Sequence, residues 1–434
     1  MKNVITIGLL SVFLSVGCRQ EERLVHESDY IHLIQQESPV KKEKADIEND
    51  IQFWAGRLQR DTGNYIDQMQ LANRWNRLFQ LTGEMTNLQR ADSLLNRVFH
   101  FLGKDDPEFL VLLSQQAITC HRFNQASFLL DQARVTGGAG HLVNLVSFDT
   151  QMELGQFKEA NASLNLIADK ESFDYFIRRS RWEDHRGNGE GAIEWMERAV
   201  SWAKERDLTA LHLWGLSNLS DMYLHNGFPQ KAVAGYREVL RQDGKYVHAL
   251  RGMAWVAFSH DKNAEAAESI LQYLQVQYNM PELYLERAEI KEWKGEHDSA
   301  RLFRSAFVKK VDDSFQRPMY AKYLIDCFTE DSAMLDVALV MALNERKNRA
   351  TPETASWLAW CYFKNNNTKE AVDLLKSQVE GMTFEPDVLL QMAMIYAEDG
   401  QEQKARAILA QCNGAEWEWG PLKQAAWEKL NKRL

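Results

Sequence analysis

The chain has 434 residues, of which 45% are hydrophobic and 26% are charged, and its formal net charge is −10. This composition is ordinary for a soluble protein, and the acidic excess disfavours nucleic acid and anionic lipid as partners, since both attract basic surfaces. Only 8 prolines and scarcely any alternating β-branched runs occur, so we expect an all-α fold.

The first element is a short export-type segment. A lysine precedes an apolar run over residues 4–14, which is too short to span a bilayer. The following Gly17-Cys18 boundary resembles the lipobox of bacterial lipoproteins, although Ser15 replaces the commoner leucine. The resemblance implies a signal peptide over residues 1–17 and acylation of Cys18. The alternatives are an ordinary signal peptide or a short helix of the fold.

A lipidated cysteine would anchor the protein in a bacterial cell envelope. The next residue is Arg19 rather than the aspartate that marks inner-membrane retention in some bacteria, which favours the outer membrane. Both the periplasmic and the surface side stay open. Residues 18–50 carry many charges and no long apolar period, so they predict a lipidated cysteine and flexible tether with a short helix near residues 30–36.

Ten alanines recur within residues 51–412 at intervals of 32 to 40 residues. One small residue per period predicts stacked helix pairs, because small side chains let two helices approach closely. In the middle of the chain a second small residue lies twelve positions earlier, at Ser220, Ala254 and Ala288, and Gly or Asn marks the turn between. The ten alanines are Ala91, Ala126, Ala160, Ala192, Ala232, Ala266, Ala300, Ala338, Ala371 and Ala405.

This pattern resembles the tetratricopeptide repeat, a helix–turn–helix unit with small residues at two positions and a large ring between them. The resemblance implies a tetratricopeptide-type α-solenoid of about ten repeats over residues 51–412. Residues 413–434 would add a cap over the last apolar face, with Gly420-Pro421 opening its helix over residues 422–434. The repeats around Ala160 and Ala338 match poorly. The best matches are Ser220/Tyr223/Gly227/Ala232/Tyr236, Ala359/Tyr362/Ala371 and Ala393/Tyr396/Gly400/Ala405.

No residue pattern indicates catalysis, so we expect no enzyme, no cofactor and no metal site. Glu286, Glu289 and Glu292 share a helix face, which is typical of a solvated surface. The four cysteines after Cys18 are far apart and lie in helical patterns, so they predict buried free thiols. Five histidines fall at turns between helices, a position that suits a helix C-terminus better than a metal. These are His121, His185, His225, His260 and His297.

Proteins with this repeat usually bind partners on the concave surface formed by the first helix of each repeat. Tryptophan and arginine dominate interface energetics, although each tryptophan could instead fill a gap between repeats. The Lys and Asn pattern that grips a free C-terminus in this family is not reproduced. The helix phase of the resemblance implies a partner surface formed by Arg178, Arg181, Asn218, Asp221, Arg251, Trp255, Trp293, Trp357 and Trp360, with Glu289 beside Trp293.

Together these features favour a lipid-anchored bacterial envelope protein that acts as a scaffold or assembly factor. Its partner would be another protein or peptide bound mainly on the concave face, with no nucleic acid, and the membrane contact would be the N-terminal lipid. The alternative is a SusD-like outer-membrane lipoprotein that binds nutrient glycans through exposed tryptophans. The long loops between repeats that characterise that class are not evident here.

Overall fold

The computed structural model describes residues 23–35, 40–103, 106–138 and 140–434. All regular secondary structure in these ranges is helical. The helices are α1 Glu27–Ile34, α2 Val40–Arg60, α3 Tyr65–Thr82, α4 Met85–Leu102, α5 Pro107–Thr119, α6 Phe123–Thr136, α7 Gly140–Glu153, α8 Phe157–Asn165, α9 Phe173–His185, α10 Gly189–Glu205, α11 Thr209–His225, α12 Pro229–Gln242, α13 Val247–Ser259, α14 Ala264–Gln277, α15 Glu282–Trp293, α16 His297–Val311, α17 Ala321–Thr329, α18 Leu335–Asn348, α19 Pro352–Lys364, α20 Thr368–Gln378, α21 Pro386–Glu398, α22 Glu402–Leu409 and α23 Glu416–Arg433.

Helices α3 to α22 form ten consecutive pairs, each an odd-numbered helix packed against the even-numbered helix that follows it. All ten periodic alanines lie on the even-numbered helices, and none is more than 4% exposed. They are therefore the points where two helices approach closely. The prediction of an all-α, tetratricopeptide-type solenoid of about ten repeats is confirmed, including the poorly matching repeats around Ala160 and Ala338.

The turn inside a pair repeats one hydrogen-bond geometry. The backbone N–H of Phe228 donates to the carbonyl of Tyr223 at 2.8 Å, because Gly227 adopts a left-handed conformation with φ 80°. Asn366, with φ 62°, takes the left-handed position in the pair α19–α20. This pattern satisfies carbonyls that the end of a helix leaves free. The same bond runs from Gln156 to Gln151, Asn188 to Glu183, Glu296 to Lys291, Asn367 to Tyr362 and Gln401 to Tyr396.

The solenoid winds tightly enough for its second superhelical turn to touch the first. The N–H of Asn279 donates to the carbonyl of Thr82 at 2.8 Å. Arg349 Nη1 lies 2.9 Å from Glu153 Oε2, although 196 residues separate them. Apolar side chains of α4 and α16 share one buried cluster. The repeats therefore form one wound body rather than an open rod.

The N-terminal region differs from the flexible tether expected over residues 18–50. Helix α1 confirms the short helix, but its Tyr30 and Leu33 are buried against α12 to α14. The Asp261 carboxylate accepts the N–H groups of Leu24 and Val25 at 2.9 and 2.8 Å. Helix α2 starts at residue 40 and packs on α3. The contacts with Asp261 join residues that are more than 200 positions apart in the sequence. A local pattern of apolar residues cannot predict contacts at such a separation.

Cys120, Cys361 and Cys412 are buried, Cys327 is partly buried, and all four are free thiols as predicted. Burial raises the pKa of each thiol to about 12, so these groups are protonated and unreactive at neutral pH. Across the described ranges, no helix is both long and apolar enough to cross a bilayer. The expected signal peptide over residues 1–17 and Cys18 lie outside the described residues.

Helix α12 offers a matched test of the alanine positions, because Ala232 is buried at the helix–helix contact and Ala234 is exposed. We expect Ala232→Leu to lower the free energy of unfolding by about 1–3 kcal/mol, since the larger side chain forces the helices apart. Ala234→Leu should change it by less than about 0.5 kcal/mol. Urea unfolding followed by circular dichroism measures both. Equal effects of the two substitutions would refute the close-approach role.

Candidate functional site

The odd-numbered helices face the inside of the superhelix, where α23 lies against α11, α13, α15 and α21. We call this face the inner surface. All nine residues expected to bind a partner are on odd-numbered helices, and eight of them line two inner cavities. Arg178, Arg181, Asn218 and Asp221 line the first, here called the open groove, while Arg251, Trp255, Trp357 and Trp360 line the second, here called the acidic chamber.

Trp293 is the exception among the nine. Its ring packs edge-on against Phe258 of α13 at 5.7 Å between centroids, and it lines neither cavity. The contact with Phe258 supports a packing role for Trp293 between neighbouring repeats rather than a role in binding a partner.

Helix α23 is seated on the inner surface itself. The indole N–H of Trp255 donates to the carbonyl of Trp417 at 2.9 Å, and the Trp417 ring lies 4.8 Å from the ring of His260. The Trp419 side chain is fully buried. At Gly420 the backbone kinks, with φ 69° and ψ 179°, before Pro421 continues the helix. Contacts of this kind hold the C-terminal segment across the middle repeats.

The capping prediction for residues 413–434 is therefore only part of what α23 does. Leu430 and Leu434 pack with Ile408 and Leu409 of α22, as a cap would. The first half of the helix instead covers Trp255, and the indole N–H of this residue is already bonded to the carbonyl of Trp417. Sequence reasoning missed this contact, and the available signal was the concentration of tryptophans in α23, at Trp417, Trp419 and Trp427.

The open groove has a volume of about 520 Å³ and is lined mainly by α9 and α11, with Asp149 of α7 and Met196 of α10. Arg178, with a side chain 12% exposed, pairs with Asp149 of α7 at 2.7 Å, so it mainly connects two repeats. Arg181 pairs with Glu153 at 2.7 Å but is 42% exposed. Trp214, 40% exposed, adds a large ring that the sequence interpretation did not select. Arg181, Trp214 and the turn residue His225 are therefore exposed side chains of the groove that a partner can reach.

Asn218 and Asp221 complete the groove from α11. The amide of Asn218 donates to the carbonyl of Trp214 at 2.7 Å, within its own helix. The Asp221 carboxylate accepts the hydroxyl of Tyr236 and contacts His248 Nε2 at 2.5 Å. Burial and the neighbouring Asp221 charge raise the pKa of Tyr236 far above its usual range, so its hydroxyl stays a donor. Asp221 thus links two repeats as well as facing the groove.

The acidic chamber lies between α23 and the inner surface of α13 to α21, and its volume is about 680 Å³. Helix α23 forms one wall through Leu422, Lys423 and Ala426. Eight carboxylates face four cationic side chains, an excess of four acids. The acids are Glu282, Glu286, Glu289, Asp326, Glu330, Glu353, Glu385 and Asp387, and the bases are Arg251, Arg304, Lys322 and Lys423.

Part of this charge is compensated within the chamber. Arg251 Nε lies 3.0 Å from Glu286 Oε1. Lys423 Nζ contacts both oxygens of Asp387, at 2.8 and 2.7 Å, and Lys322 lies 3.7 Å from the same group. Burial alone would raise the pKa of Asp387, but the two lysines outweigh burial and hold it below its usual range. Asp387 is therefore an ionised carboxylate that fastens α23 to α21.

Glu289 and Asp326 form no ion pair among the described residues, and the charge of Lys423 opposes the effect of burial on each pKa only in part. The buried Oε1 of Glu289 has no hydrogen-bond partner among the described residues. Burial raises the pKa of Glu289 to about 7, and the charges of Asp387 and Glu286 raise it as well. Burial likewise raises the pKa of Asp326 to about 6. The expectation of a solvated face was wrong for Glu286 and Glu289, which the superhelix turns inward.

The turn histidines lie where the sequence predicted. His260 Nδ1 contacts Asp261 at 2.8 Å and His297 Nδ1 contacts Glu292 at 2.7 Å, so each has a local carboxylate partner. Within the part of the chain that the structure describes, no group of three or more His, Cys, Asp or Glu side chains is arranged to hold a metal ion. The acidic chamber is thus a charged cavity without a metal-binding geometry in those residues.

With the geometry established, residues 387–413, which span nearly all of α21 together with α22, match the family model of the tetratricopeptide repeat. The repeats are of the tetratricopeptide type. The match covers one repeat, and the regular pairing of α3 to α22 extends the same architecture along the chain. No curated protein matches the sequence.

Solved structures similar to this chain share low sequence identity with it. The human IFIT1 dimer with m7Gppp-AAAA is 15% identical, with a TM-score of 0.46 over 72% of this chain and 70% of that one. Yeast Tom70 is 10% identical, with a TM-score of 0.40 over 94% and 97%. A tetratricopeptide repeat protein from Parabacteroides merdae is 14% identical, with a TM-score of 0.35 over 60% and 97%.

The seat of α23 can be tested at Gly420, where an added Cβ would lie 3.0 Å from the Trp255 ring. Gly227 is the matched control, because its φ is also positive at 80° but no heavy atom lies within 4 Å of its Cβ position. We expect Gly227→Ala to cost about 1 kcal/mol of stability from backbone strain alone. Gly420→Ala should cost roughly 1 kcal/mol more, because it also displaces the indole.

Limited trypsin digestion gives a second readout of the same pair of variants. Lys423 and Lys429 already face solvent, but trypsin also needs an extended backbone around them. Displacement of α23 should loosen that backbone, so the Gly420→Ala protein should lose its C-terminal segment faster than the Gly227→Ala protein. Identical digestion rates and identical unfolding free energies would show that Trp255 does not hold α23.

Proposed function

We propose that this protein is a lipid-anchored scaffold of a bacterial cell envelope, which binds another protein or peptide on its inner surface. Tetratricopeptide-type solenoids commonly bind other proteins, and this general role fits the architecture of the chain. The open groove carries the proposal, because it presents the exposed Arg181 and Trp214 on a surface of paired helices. Arginine and tryptophan are the side chains most often responsible for binding energy in interfaces.

The position of α23 supports the open groove over the rest of the inner surface. The indole N–H of Trp255 is bonded to Trp417, so a partner would need to displace α23 to reach Trp255. Trp357 is buried by packing between repeats. The groove between α7, α9 and α11 requires no such rearrangement. We therefore propose that Arg178, Arg181, Asn218 and Asp221 form the main partner site.

The glycan-binding alternative has less support. It requires tryptophans free to stack on sugar rings, whereas two of those in the chamber are covered or buried. A nucleic-acid partner is also disfavoured, because the chain has a net charge of −10 and its larger cavity is rich in carboxylates.

The lipid anchor rests on the Gly17-Cys18 boundary. Residues from Leu24 onward are held by Asp261 and by α12 to α14, so only a few residues separate Cys18 from the folded body. Six extended residues span at most about 20 Å. An acylated Cys18 would therefore keep the solenoid close to the membrane rather than on a long tether.

Anchoring can be tested by fractionating cells that express Cys18→Ala. We expect the variant in the soluble fraction, because it lacks the sulfur that carries the lipid. Cys327→Ala is the control and should stay with the membrane, since that thiol lies within the solenoid. A Cys18→Ala protein that still sediments with membranes would contradict the lipoprotein proposal.

Partner binding can be tested by placing a photo-crosslinking amino acid at Trp214 or Asn218. Both positions should produce one discrete cross-linked species in cells, because both line the open groove. Val276 on α14, which is 76% exposed and does not line the groove, is the control and should give none. Equal products from Val276, or no product from the groove positions, would argue against the proposed surface.

A further inference from the structure

The acidic chamber is left unused by the proposed scaffold function. All four cationic side chains of its lining already form ion pairs with carboxylates. Arg251 binds Glu286, Lys322 and Lys423 bind Asp387, and Arg304 lies 3.1 Å from Glu292, which is not part of the lining. The cationic side chains of the lining therefore pair with only two of its eight carboxylates, Glu286 and Asp387.

Five lining carboxylates have no ion pair among the described residues. They come from three helices and one helix N-cap that face the same space: Glu282 and Glu289 from α15, Asp326 from α17, Glu353 from α19, and Glu385 just before α21. Like charges gathered in one cavity destabilise the fold unless a counter-charge is supplied. The superhelix collects these groups although each would be an ordinary surface residue on an isolated helix.

Glu289 provides an observation independent of the charge count. Its Oε1 is buried, lies at the chamber wall and accepts no hydrogen bond from the described residues. Buried polar atoms in native proteins are nearly always paired, and an unpaired one destabilises the folded state. Burial, opposed only in part by the charges of Lys423 and Arg304, raises the pKa of this carboxyl to about 7. A donor supplied from outside the chain would satisfy this oxygen.

The remaining walls are apolar. Trp357 and Trp360 of α19, Leu285 of α15 and Met394 of α21 line the same cavity. A ligand that fits must combine positive charge with hydrocarbon that packs on these side chains. The volume of about 680 Å³ is in the range of small-molecule sites.

We propose that the acidic chamber binds a small flexible organic cation of the polyamine class, with ammonium groups paired to Glu289 and Asp326. Its methylene chain packs on the partly exposed Trp360, Leu285 and Met394, which are apolar contacts that a hydrated metal ion could not make. The described residues also contain no metal-binding cluster, so a bare divalent cation fits less well. Because α23 forms one wall, a free small molecule fits the space better than a segment of a large protein.

Isothermal titration of the full chain with spermidine at physiological salt tests the proposal. We expect one binding site, with affinity reduced at least tenfold by Glu289→Gln and, separately, by Asp326→Asn. These variants remove unpaired charge, lie on different helices and keep the side-chain shape. Glu194→Gln is the matched control, because Glu194 is exposed on α10 and lies outside the chamber, so its affinity should equal that of the unmodified protein.

Several results would overturn the proposal. Spermidine binding that is the same in all three variants would indicate attraction to general surface charge, and no binding at millimolar spermidine would exclude the site. Displacement of spermidine by an equal concentration of Mg²⁺ would indicate a simple ion effect. Tighter chamber binding by an oligolysine peptide would assign the site to a protein segment instead. The scaffold proposal is judged separately, by cross-linking from Asn218.

Discussion

The fold depends on how closely two helices approach at one alanine per repeat. At these positions the side chain is a single methyl group with almost no solvent exposure, so paired helices pack along their length without voids. Ten such contacts in succession set a curvature tight enough for Arg349 to reach Glu153 and for Asn279 to reach Thr82. The inner surface, its two cavities and the seat of α23 all follow from this closure.

Much of the local architecture was predictable, because it depends on patterns that lie within about 35 residues. The alanine interval predicted the helix pairs, and the helix phase placed eight of the nine selected side chains on inner cavities. What could not be predicted depends on superhelical closure. The packing of Tyr30 on the middle repeats, the hydrogen bond from Trp255 to Trp417 and the inward position of Glu289 join distant segments. No local period encodes how much each repeat rotates relative to the last.

The two inner cavities show that the same residue types have different roles according to their partners. In the open groove, carboxylates meet arginines from neighbouring repeats, as Arg178 and Asp149 do, so charge stabilises the stacking. In the acidic chamber, the equivalent helix positions supply more acids than bases, and burial raises the pKa of those left over. A glutamate that would be solvated on an isolated helix is harder to ionise when the curvature of the solenoid brings a second and third acid opposite it.

Helix α23 is the element that connects these properties. Its first half is held at Trp255 on α13, its second half packs on α22, and between them Lys423 binds Asp387 inside the chamber. The same helix therefore covers the apolar end of the solenoid, closes the chamber and limits the exposed inner surface to the open groove. Any change in chamber charge acts on Lys423 as well, because this ammonium faces Glu289 and Asp326 while it binds Asp387. The charges of the chamber and the seat of α23 therefore meet at one side chain, Lys423.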